Sequence, residues 1–334
     1  MPSTFLPRLV NDPFDDPGVF VPWTHARRAL LFDLGEIGAL SGRDILKISH
    51  VFVSHTHMDH FCGFDRLLRT MLGRHKQVHL FGPERFLENV EGKLASYTWN
   101  LVDHYTQSLT LTATEVRADR MIRRSYRCRD GFAASNPLHT QAFDGVLVQE
   151  DAFAVKAAIL DHGTPCLGFC LEERYHVNII KDKVGALGLT VGPWINRFKA
   201  ALYAGQDPDT VFDPGTGQIF ALGELAGFIA RVTQGQKIAY VTDVAFTPDN
   251  ITRIVALAAD SDQLFVEAAF LDAERDIALK KCHLTAAQSG QLAARARARQ
   301  VTLFHFSPRY SGQAPRFQAE ARDAYQKDLA HGPL

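Results

Sequence analysis

An α/β fold is the architecture that this sequence predicts, and two observations predict it. Short segments rich in β-branched and aromatic residues alternate along the chain with segments of helical periodicity. Several of the short segments are apolar almost throughout, as strands are when both faces of their sheet are covered. With 334 residues, 46% of them hydrophobic, the chain can bury a sizeable core.

The strands are predicted from segments that are short, apolar and enriched in residues favoured in sheets. They are Ala29–Phe32, Ile48–Ser54, Val78–Phe81, Leu109–Val116, Phe153–Leu160, Lys237–Thr242, Gln263–Glu267 and Val301–Phe306.

Three helices are predicted from periodicity and capping residues. The first follows residue 59, and its apolar stripe ends before Gly73, a residue suited to a helix C-terminus. That stripe consists of Phe61, Phe64, Leu68 and Met71. The second helix begins with Thr247 as its cap and Pro248 in its first turn. Thr285 and Gln288 have the spacing of a capping box for the third.

The domain organisation is expected to be simple. The chain shows no internal repeat or long low-complexity linker, so one domain is predicted over residues 1–334, with a C-terminal helix after residue 310. The stretch from about Lys181 to Gly217 is rich in glycine and proline. It is expected to be an arm or insertion outside the core.

Composition excludes several classes of protein. The 36 basic residues nearly balance 37 acidic ones, so no overall field attracts nucleic acid, and such binding would need a local patch. The five scattered cysteines indicate a reduced, intracellular protein rather than a disulfide framework. Pro7 and Arg8 interrupt the N-terminus before a signal peptide could form, and no apolar stretch is long enough to span a bilayer. A cytoplasmic location with no membrane partner is therefore expected.

The strongest chemical signal is the hexapeptide HTHMDH at residues 55–60. Its three imidazoles and one carboxylate suit zinc or a similar divalent metal. A tight turn between a strand and a helix can direct His55 and His57 to one side and Asp59 and His60 to the other. The segment therefore predicts two neighbouring metal ions rather than one.

Four further predicted strands end at, or just before, a residue able to bind a metal. These residues are His162, Asp243, Glu267 and His305. Sites in open α/β sheets form outside the carboxyl ends of the strands. We therefore expect these side chains to meet the hexapeptide at one edge of the fold.

The hexapeptide resembles the HxHxDH signature of the metallo-β-lactamase superfamily, and the finer pattern is similar to ribonuclease Z, a dizinc endonuclease that trims the 3′ end of precursor tRNA. The similar segments are LLFDLGE (30–36), LDHGTPCLGF (160–169), YVTDV (240–244), FVEAAF (265–270), HLTAAQSG (283–290) and FHFSPRY (304–310). They occur in the family's order. The resemblance implies an α/β fold of the αββα four-layer type, with two mixed sheets packed together and helices outside.

The resemblance also implies a sorting of the metal ligands. The first metal would be held by His55, His57 and His162, and the second by Asp59, His60 and His305, with Asp243 bridging the two. The two divalent ions are expected to be Zn²⁺, with Mn²⁺ or iron as alternatives. Family members are often dimers, so a homodimer is also expected.

A phosphodiesterase mechanism follows from such a site. Two metals about 3.5–4 Å apart can share a hydroxide and clamp phosphate oxygens. Asp59 could orient that hydroxide, and His283 is free to protonate the leaving oxygen. Glu267 could orient His283, and Asp33 is interpreted as a structural acid beneath the ligands.

The sequence leaves three functions open. The first is a ribonuclease Z-like endonuclease acting on precursor tRNA. The second keeps the metals but takes a small phosphodiester, a cyclic nucleotide or another ester; the acidic segment at residues 11–16 and the weakly charged arm favour it. The third is a non-catalytic metal-binding or interaction protein, which the complete ligand set and the HLTA and HFSPRY motifs disfavour.

One irregular segment could bind the phosphates of a nucleic acid. The stretch Arg117–Arg129 contains six arginines, and Tyr126 and Phe132 could stack on bases. An ordinary solvated face with internal ion pairs is the alternative, and the sequence alone does not decide between them.

Overall fold

A computed structural model describes residues 4–24, 26–135 and 137–331. The strands in chain order are β1 Arg8–Leu9, β2 Val19–Pro22, β3 Ala29–Phe32, β4 Ile48–Phe52, β5 Lys76–Gly82, β6 Leu109–Val116, β7 Arg120–Arg127, β8 His139–Ala142, β9 Val146–Gln149, β10 Phe153–Asp161, β11 Pro165–Glu173, β12 His176–Ile179, β13 Val211–Phe212, β14 Phe220–Ala221, β15 Ala230–Thr233, β16 Lys237–Val241, β17 Gln263–Glu267 and β18 Val301–Phe304.

The helices are α1 Gly42–Ile45, α2 Met58–Phe61, α3 Phe64–Met71, α4 Phe86–Ala95, α5 Lys181–Ala186, α6 Trp194–Tyr203, α7 Leu222–Ile229, α8 Pro248–Ala258, α9 Arg275–Lys280, α10 Ala286–Arg295 and α11 Ala314–His331. Short 3₁₀ turns occur at Val102–His104, Cys128–Asp130, Asp272–Glu274 and Pro308–Tyr310.

Two large sheets dominate the fold. The first has eight strands in the order β1 to β8, with β3 to β6 parallel and the outer strands antiparallel. The second has the order β18-β17-β16-β11-β10-β9, and β16, β17 and β18 are parallel. Parallel neighbours end at the same edge of a sheet, so residues that follow them can converge.

Aromatic side chains join the two large sheets face to face. Phe32 of the first sheet stacks on Phe169 and Tyr240 of the second, with ring centroids 5.7 Å apart in both pairs. Phe52 lies 5.7 Å from Phe169 by the same measure. All four side chains are fully buried. This layer is the interface of the predicted sandwich.

Helices cover the outer faces of both sheets. One apolar cluster joins α1, α3 and α4 to the first sheet, and another joins α8, α10 and α11 to the second. The predicted αββα four-layer architecture is therefore confirmed. Among the described residues, no helix combines the length and the apolar character that a membrane span requires.

The predicted capping of two helices is confirmed. Thr247 accepts a hydrogen bond from the backbone N–H of Asn250, and Pro248 lies in the first turn of α8. Thr285 and Gln288 form the reciprocal capping box of α10.

The predicted helix after Asp59 is interrupted. It consists of α2 and α3, separated at Cys62 and Gly63, because the backbone there approaches the loop after β3. The N–H of Gly63 donates to the carbonyl of Leu34 at 2.9 Å. A Cβ atom at Gly63 would lie 2.1 Å from the carbonyl oxygen of Gly35, so only glycine fits this contact.

The chain divides into two compact units. The first comprises residues 1–147, 156–170 and 238–334, and it contains both large apolar clusters. The second comprises residues 148–155 and 171–237, and it has a core of its own around Trp194, Phe198 and Leu225. The expected arm at about 181–217 lies within the second unit. The interpretation of residues 1–334 as one domain with an arm stays a prediction.

Candidate metal centre

Strand ends supply most of the candidate site. His55 lies three residues beyond β4, His162 follows β10, Glu267 is the last residue of β17 and His305 follows β18. Asp243 lies two residues beyond β16. All of them belong to the first compact unit. The convergence expected from the sequence is therefore present.

The backbone of the site is strained at three positions. Asp33, Asp243 and His305 have φ angles of 57°, 45° and 60°. These angles lie in the left-handed backbone region, which residues other than glycine rarely adopt. Each such residue costs of order 1–3 kcal/mol and persists only where its surroundings enforce it. All three residues lie at or just beyond the ends of β3, β16 and β18, where the chain turns into the site.

Asp243 lies at the middle of the cluster. Its Oδ2 atom is 3.6 Å from His55 Nε2, 3.3 Å from His60 Nε2 and 3.5 Å from His162 Nε2. Its Oδ1 atom is 3.3 Å from His305 Nδ1. One buried carboxylate therefore contacts histidines from both predicted ligand sets, as a bridging ligand requires.

Three overlapping groups of side chains could hold a metal, each with its ligand atoms within 4.8 Å of one another. They are His55, His57, His162 and Asp243; Asp59, His60 and His305; and Asp243, Glu267, His283 and His305. Together they contain all nine residues that the sequence singled out as metal ligands or catalytic groups. The first two groups have the composition predicted for the two metals. The assignment of each ligand stays a prediction.

The ring nitrogens of the cluster fit divalent metals. Within the described residues, no hydrogen-bond partner is found for the buried Nε2 atoms of His55 and His60 or for Nδ1 of His305. Buried polar atoms are almost always paired. Imidazole nitrogens beside a carboxylate are a donor set typical of zinc sites, so the residues fit the expected ions.

Outer hydrogen bonds fix the orientation of two histidines. The Nδ1 atom of His60 lies 2.8 Å from Asp33 Oδ2, and Nδ1 of His162 lies 2.8 Å from the carbonyl oxygen of Cys282. With Nδ1 protonated and bonded outward, the Nε2 atom of each ring is left as the ligand.

Asp33 is held by a network of donors. The backbone N–H and the hydroxyl of Ser54 donate to its two oxygens at 2.6 and 2.8 Å, and the hydroxyl of Tyr240 donates at 2.7 Å. The interpretation of Asp33 as a structural acid agrees with these contacts. The bond to Ser54 also explains why β4 ends at Phe52 rather than at Ser54, since the N–H of Ser54 faces a side chain instead of a neighbouring strand.

The charges of the cluster compensate one another. Burial opposes protonation of His60, but the carboxylates of Asp243 and Asp33 outweigh it and raise the pKa of His60 well above its ordinary value. Burial lowers the pKa of His55 to about 2, with the neighbouring His60 adding to the effect. Burial would raise the pKa of Asp59, but His305 and His60 outweigh it and hold it at about 2.

His283 forms an ion pair beside the cluster. Its Nδ1 atom lies 2.8 Å from Glu267 Oε2, and its ring centroid is 4.9 Å from that of His162. Burial would lower the pKa of His283, but the carboxylates of Glu267 and Asp243 outweigh it and raise it to about 9. Glu267 is itself fixed by the N–H of Val244, which donates to Oε1 at 2.8 Å.

Several supporting residues were not identified from the sequence. Ser54, Tyr240 and Cys282 hold Asp33 or His162 in place, and Asn89 donates to the hydroxyl of Thr56 at 2.6 Å. Ser54 directly precedes the hexapeptide and Cys282 directly precedes His283. Their positions next to predicted site residues are the signal by which the sequence could identify them. Tyr240 lies in the YVTDV segment, but nothing in the sequence pairs it with Asp33 or pairs Asn89 with Thr56, because these partners are distant in the chain.

Comparison with known proteins agrees with this geometry. A family model described as a beta-lactamase superfamily domain matches residues 209–306. The chain is 30% identical to ribonuclease Z of Deinococcus radiodurans over 284 residues, which is 84% of this chain and 83% of that protein. It is also 30% identical to ribonuclease Z of Thermobifida fusca over 321 residues, or 93% of this chain and 85% of the relative.

Solved structures show the same fold at low sequence identity. The metallo-β-lactamase fold protein YhfI from Bacillus subtilis matches with a TM-score of 0.54 and 13% identity, over 93% of this chain and 86% of that one. The short form of human tRNase Z matches with a TM-score of 0.50 and 18% identity, over 92% of this chain and 93% of that one. The predicted metallo-β-lactamase fold is thereby confirmed. The identity and coverage shared with the two bacterial relatives show that this chain belongs to the ribonuclease Z family of metal-dependent hydrolases.

Proposed function

We propose that the protein is a phosphodiesterase with a dinuclear metal site that cleaves precursor tRNA on the 3′ side, as a ribonuclease Z. The observation that carries this proposal is the His283–Glu267 pair beside a cluster of seven side chains that could bind metal ions. Membership of the ribonuclease Z family supports the choice of RNA as substrate.

The metal ligands are proposed to be sorted as the sequence predicts, with zinc as the ion and manganese or iron as alternatives. Bound there, the ions would stabilise negative charge on the phosphate oxygens and lower the pKa of an attacking water. Asp243 faces histidines of both sets and would keep the two sites close together.

The side chains of Asp59 and His283 are proposed to handle protons. Asp59 is the most exposed carboxylate of the cluster, at 43%, so it can contact and orient a water molecule. The Nδ1 atom of His283 faces Glu267, so Nε2 is the ring nitrogen that is not used in this ion pair. A pKa of about 9 keeps the ring protonated at neutral pH, so it can donate a proton to the leaving oxygen.

A second candidate keeps the chemistry but takes a small phosphodiester, a cyclic nucleotide or another ester. The acidic residues Asp12, Asp15 and Asp16 near the N-terminus favour it, because they would repel a polyanionic substrate. A cytoplasmic location and a homodimeric state, both expected from the sequence, stay predictions.

The test uses the purified, metal-loaded protein and two substrates. One is a tRNA transcript with a 3′ trailer, and the other is bis(p-nitrophenyl) phosphate. The proposal expects both to be hydrolysed, with one cut at the 3′ end of the tRNA body. Hydrolysis of the ester alone would favour the second candidate. Inactivity on both with metals bound would favour a non-catalytic role.

A further inference from the structure

The second compact unit carries no net positive charge. Residues 148–155 and 171–237 contain nine Asp and Glu against seven Lys and Arg. Affinity for RNA depends largely on cations that replace the counterions of its phosphates. The net charge of this unit is therefore unfavourable to a polyanion, and the cations that an RNA substrate requires must come from a local patch.

The arginine-rich strand β7 and its flanks are the candidate. Residues 117–129 contain six arginines and one acidic residue, Asp119. Three of the arginines are neutralised in the fold. Arg117 pairs with Glu115 at 2.7 Å, Arg120 with Asp119 at 3.1 Å and Arg124 with Glu91 at 2.6 Å.

The other three arginines carry uncompensated charge. Arg123, Arg127 and Arg129 are exposed, and no carboxylate within the described parts of the chain forms an ion pair with them. Arg123 and Arg127 share one face of β7, since they lie four positions apart in the strand, and their Cα atoms are about 13 Å apart at the rise of a strand. This is a stripe of charge suited to a polyanion rather than to a single phosphate group.

The neighbouring strand leaves this stripe open. β8 pairs with β7 so that His139 lies opposite Arg123, and all four residues of β8 are exposed. Beside Arg127, the hydroxyls of Thr112 and Ser125 lie 3.1 Å apart. Arginine and hydroxyl side chains are among the groups that contact nucleic-acid phosphates.

The topology connects the stripe to the metal centre. Strands β4, β5 and β6 are parallel, so β6 ends at the edge from which the hexapeptide emerges, and β7 begins there and runs away from it. Three strand spacings of about 4.8 Å separate β4 from β7. A nucleic acid with one phosphate at the metals could therefore continue along β7.

We propose that Arg123, Arg127 and Arg129 form a phosphate-binding surface for the body of an RNA substrate. This inference rests on the proposed function, because it assigns the surface to the same substrate. It does not require these arginines to take part in bond cleavage, and a small ester would not reach them.

The test measures binding of a fluorescent mature tRNA transcript by anisotropy at several KCl concentrations. Replacing Arg123, Arg127 and Arg129 together by alanine is expected to raise the dissociation constant roughly tenfold or more. The plot of log affinity against log salt has a negative slope, and the magnitude of this slope is expected to decrease by about two to three. Hydrolysis of bis(p-nitrophenyl) phosphate is expected to stay within about twofold.

Two matched variants make the result specific. Replacing the same three arginines by lysine keeps the charges and is expected to preserve most of the salt slope. Replacing Lys181, Lys183 and Arg231, three exposed cations of the second unit, by alanine is expected to change the slope little. An unchanged slope in the arginine variant, or an equal loss in the second-unit variant, overturns the inference.

The outcomes separate this inference from the proposed function. If the wild-type protein binds tRNA through these arginines but does not cut a 3′-extended transcript, the proposed function fails and the surface stands. If it cuts that transcript while the arginine variant keeps the wild-type slope, the surface fails and the proposed function stands. A wild-type protein that binds no RNA overturns the surface whatever its activity on esters.

Discussion

Tyr240 donates a 2.7 Å hydrogen bond from its hydroxyl to Oδ2 of Asp33, across the interface of the two large sheets. The same oxygen faces Nδ1 of His60 at 2.8 Å. A tyrosine of the second sheet thus fixes a histidine proposed to bind the second metal. It does so through Asp33, the residue that follows β3 of the first sheet. The packing of the sandwich and the geometry of the site are therefore coupled.

Replacing Tyr240 by phenylalanine tests this coupling. The ring would still pack, but Asp33 would lose one donor, at a cost of about 1–3 kcal/mol in the free energy of unfolding. Loss of a group that orients a metal ligand lowers metal affinity roughly 10–100-fold. Urea unfolding and titration against a chelating dye measure the two effects.

Tyr175→Phe is the matched control, because its hydroxyl donates to the carbonyl of Leu202 and both residues belong to the second compact unit. It is expected to lower stability without changing metal affinity. Equal metal affinity in Tyr240→Phe and the wild type would show that the bond supports the fold alone.

The close contact at Gly63 supports the turn that carries the hexapeptide. In Gly63→Ala the new Cβ atom would lie 2.1 Å from the carbonyl oxygen of Gly35, so the backbone must shift. Such overpacking is expected to cost about 1–3 kcal/mol in the free energy of unfolding and to weaken metal binding.

Gly92→Ala in α4 provides the comparison, since a Cβ atom there meets nothing within 4 Å. It is expected to stabilise the helix by about 0.5–1 kcal/mol. Thermal unfolding of the wild type and both variants measures the two effects. A Gly63→Ala variant that melts at the same temperature as Gly92→Ala would show that the Gly63 contact is easily relaxed.

Acid sensitivity is expected to arise in part from His50. Burial, together with the nearby positive charges of His79 and Arg28, lowers the pKa of His50 to about 3. In the unfolded chain an imidazole takes up a proton near pH 6.5. Between these values the unfolded state binds more protons, so stability falls as the pH decreases from about 6.5 towards 3.

His50→Phe should remove this contribution and keep the stacking on His79, whose ring centroid lies 4.9 Å away. At pH 5 the wild type is expected to lose about 2 kcal/mol more than the variant, relative to pH 8. The exposed His104 serves as the control in His104→Phe. Parallel stability curves for wild type and His50→Phe would contradict the assignment.

His283 is expected to matter for turnover and not for metal content. His283→Gln should lower the rate of precursor cleavage by roughly 10²–10⁴, because the protonated ring would no longer serve the leaving oxygen. Elemental analysis should find the wild-type metal content. His104→Gln is the control for loss of a histidine, and full activity in His283→Gln would reject the role in proton transfer.

The strand-end residues of the site could be predicted from the sequence because they are local features. His55, Asp243 and His305 each follow an apolar segment, and parallel strands bring such positions to one edge. The caps of α8 and α10 can be predicted equally well, since a cap depends on residues three positions apart.

Contacts between distant residues could not be predicted in this way. Tyr240 and Asp33 are 207 positions apart, and the sequence contains nothing that pairs them. The break at Gly63 depends on Gly35, which lies in a separate loop. The charge on β7 was ambiguous for the same reason, because Glu91, which neutralises Arg124, belongs to α4.

Metal stoichiometry of the purified protein is the most direct test of the proposed site. Elemental analysis after dialysis is expected to find about two zinc, manganese or iron ions per chain in the wild type. Asp243→Ala is expected to lose most of this metal, because Asp243 faces histidines of both sets. A wild-type chain that binds no divalent ion, or an Asp243→Ala variant with the full complement, would contradict the dinuclear site.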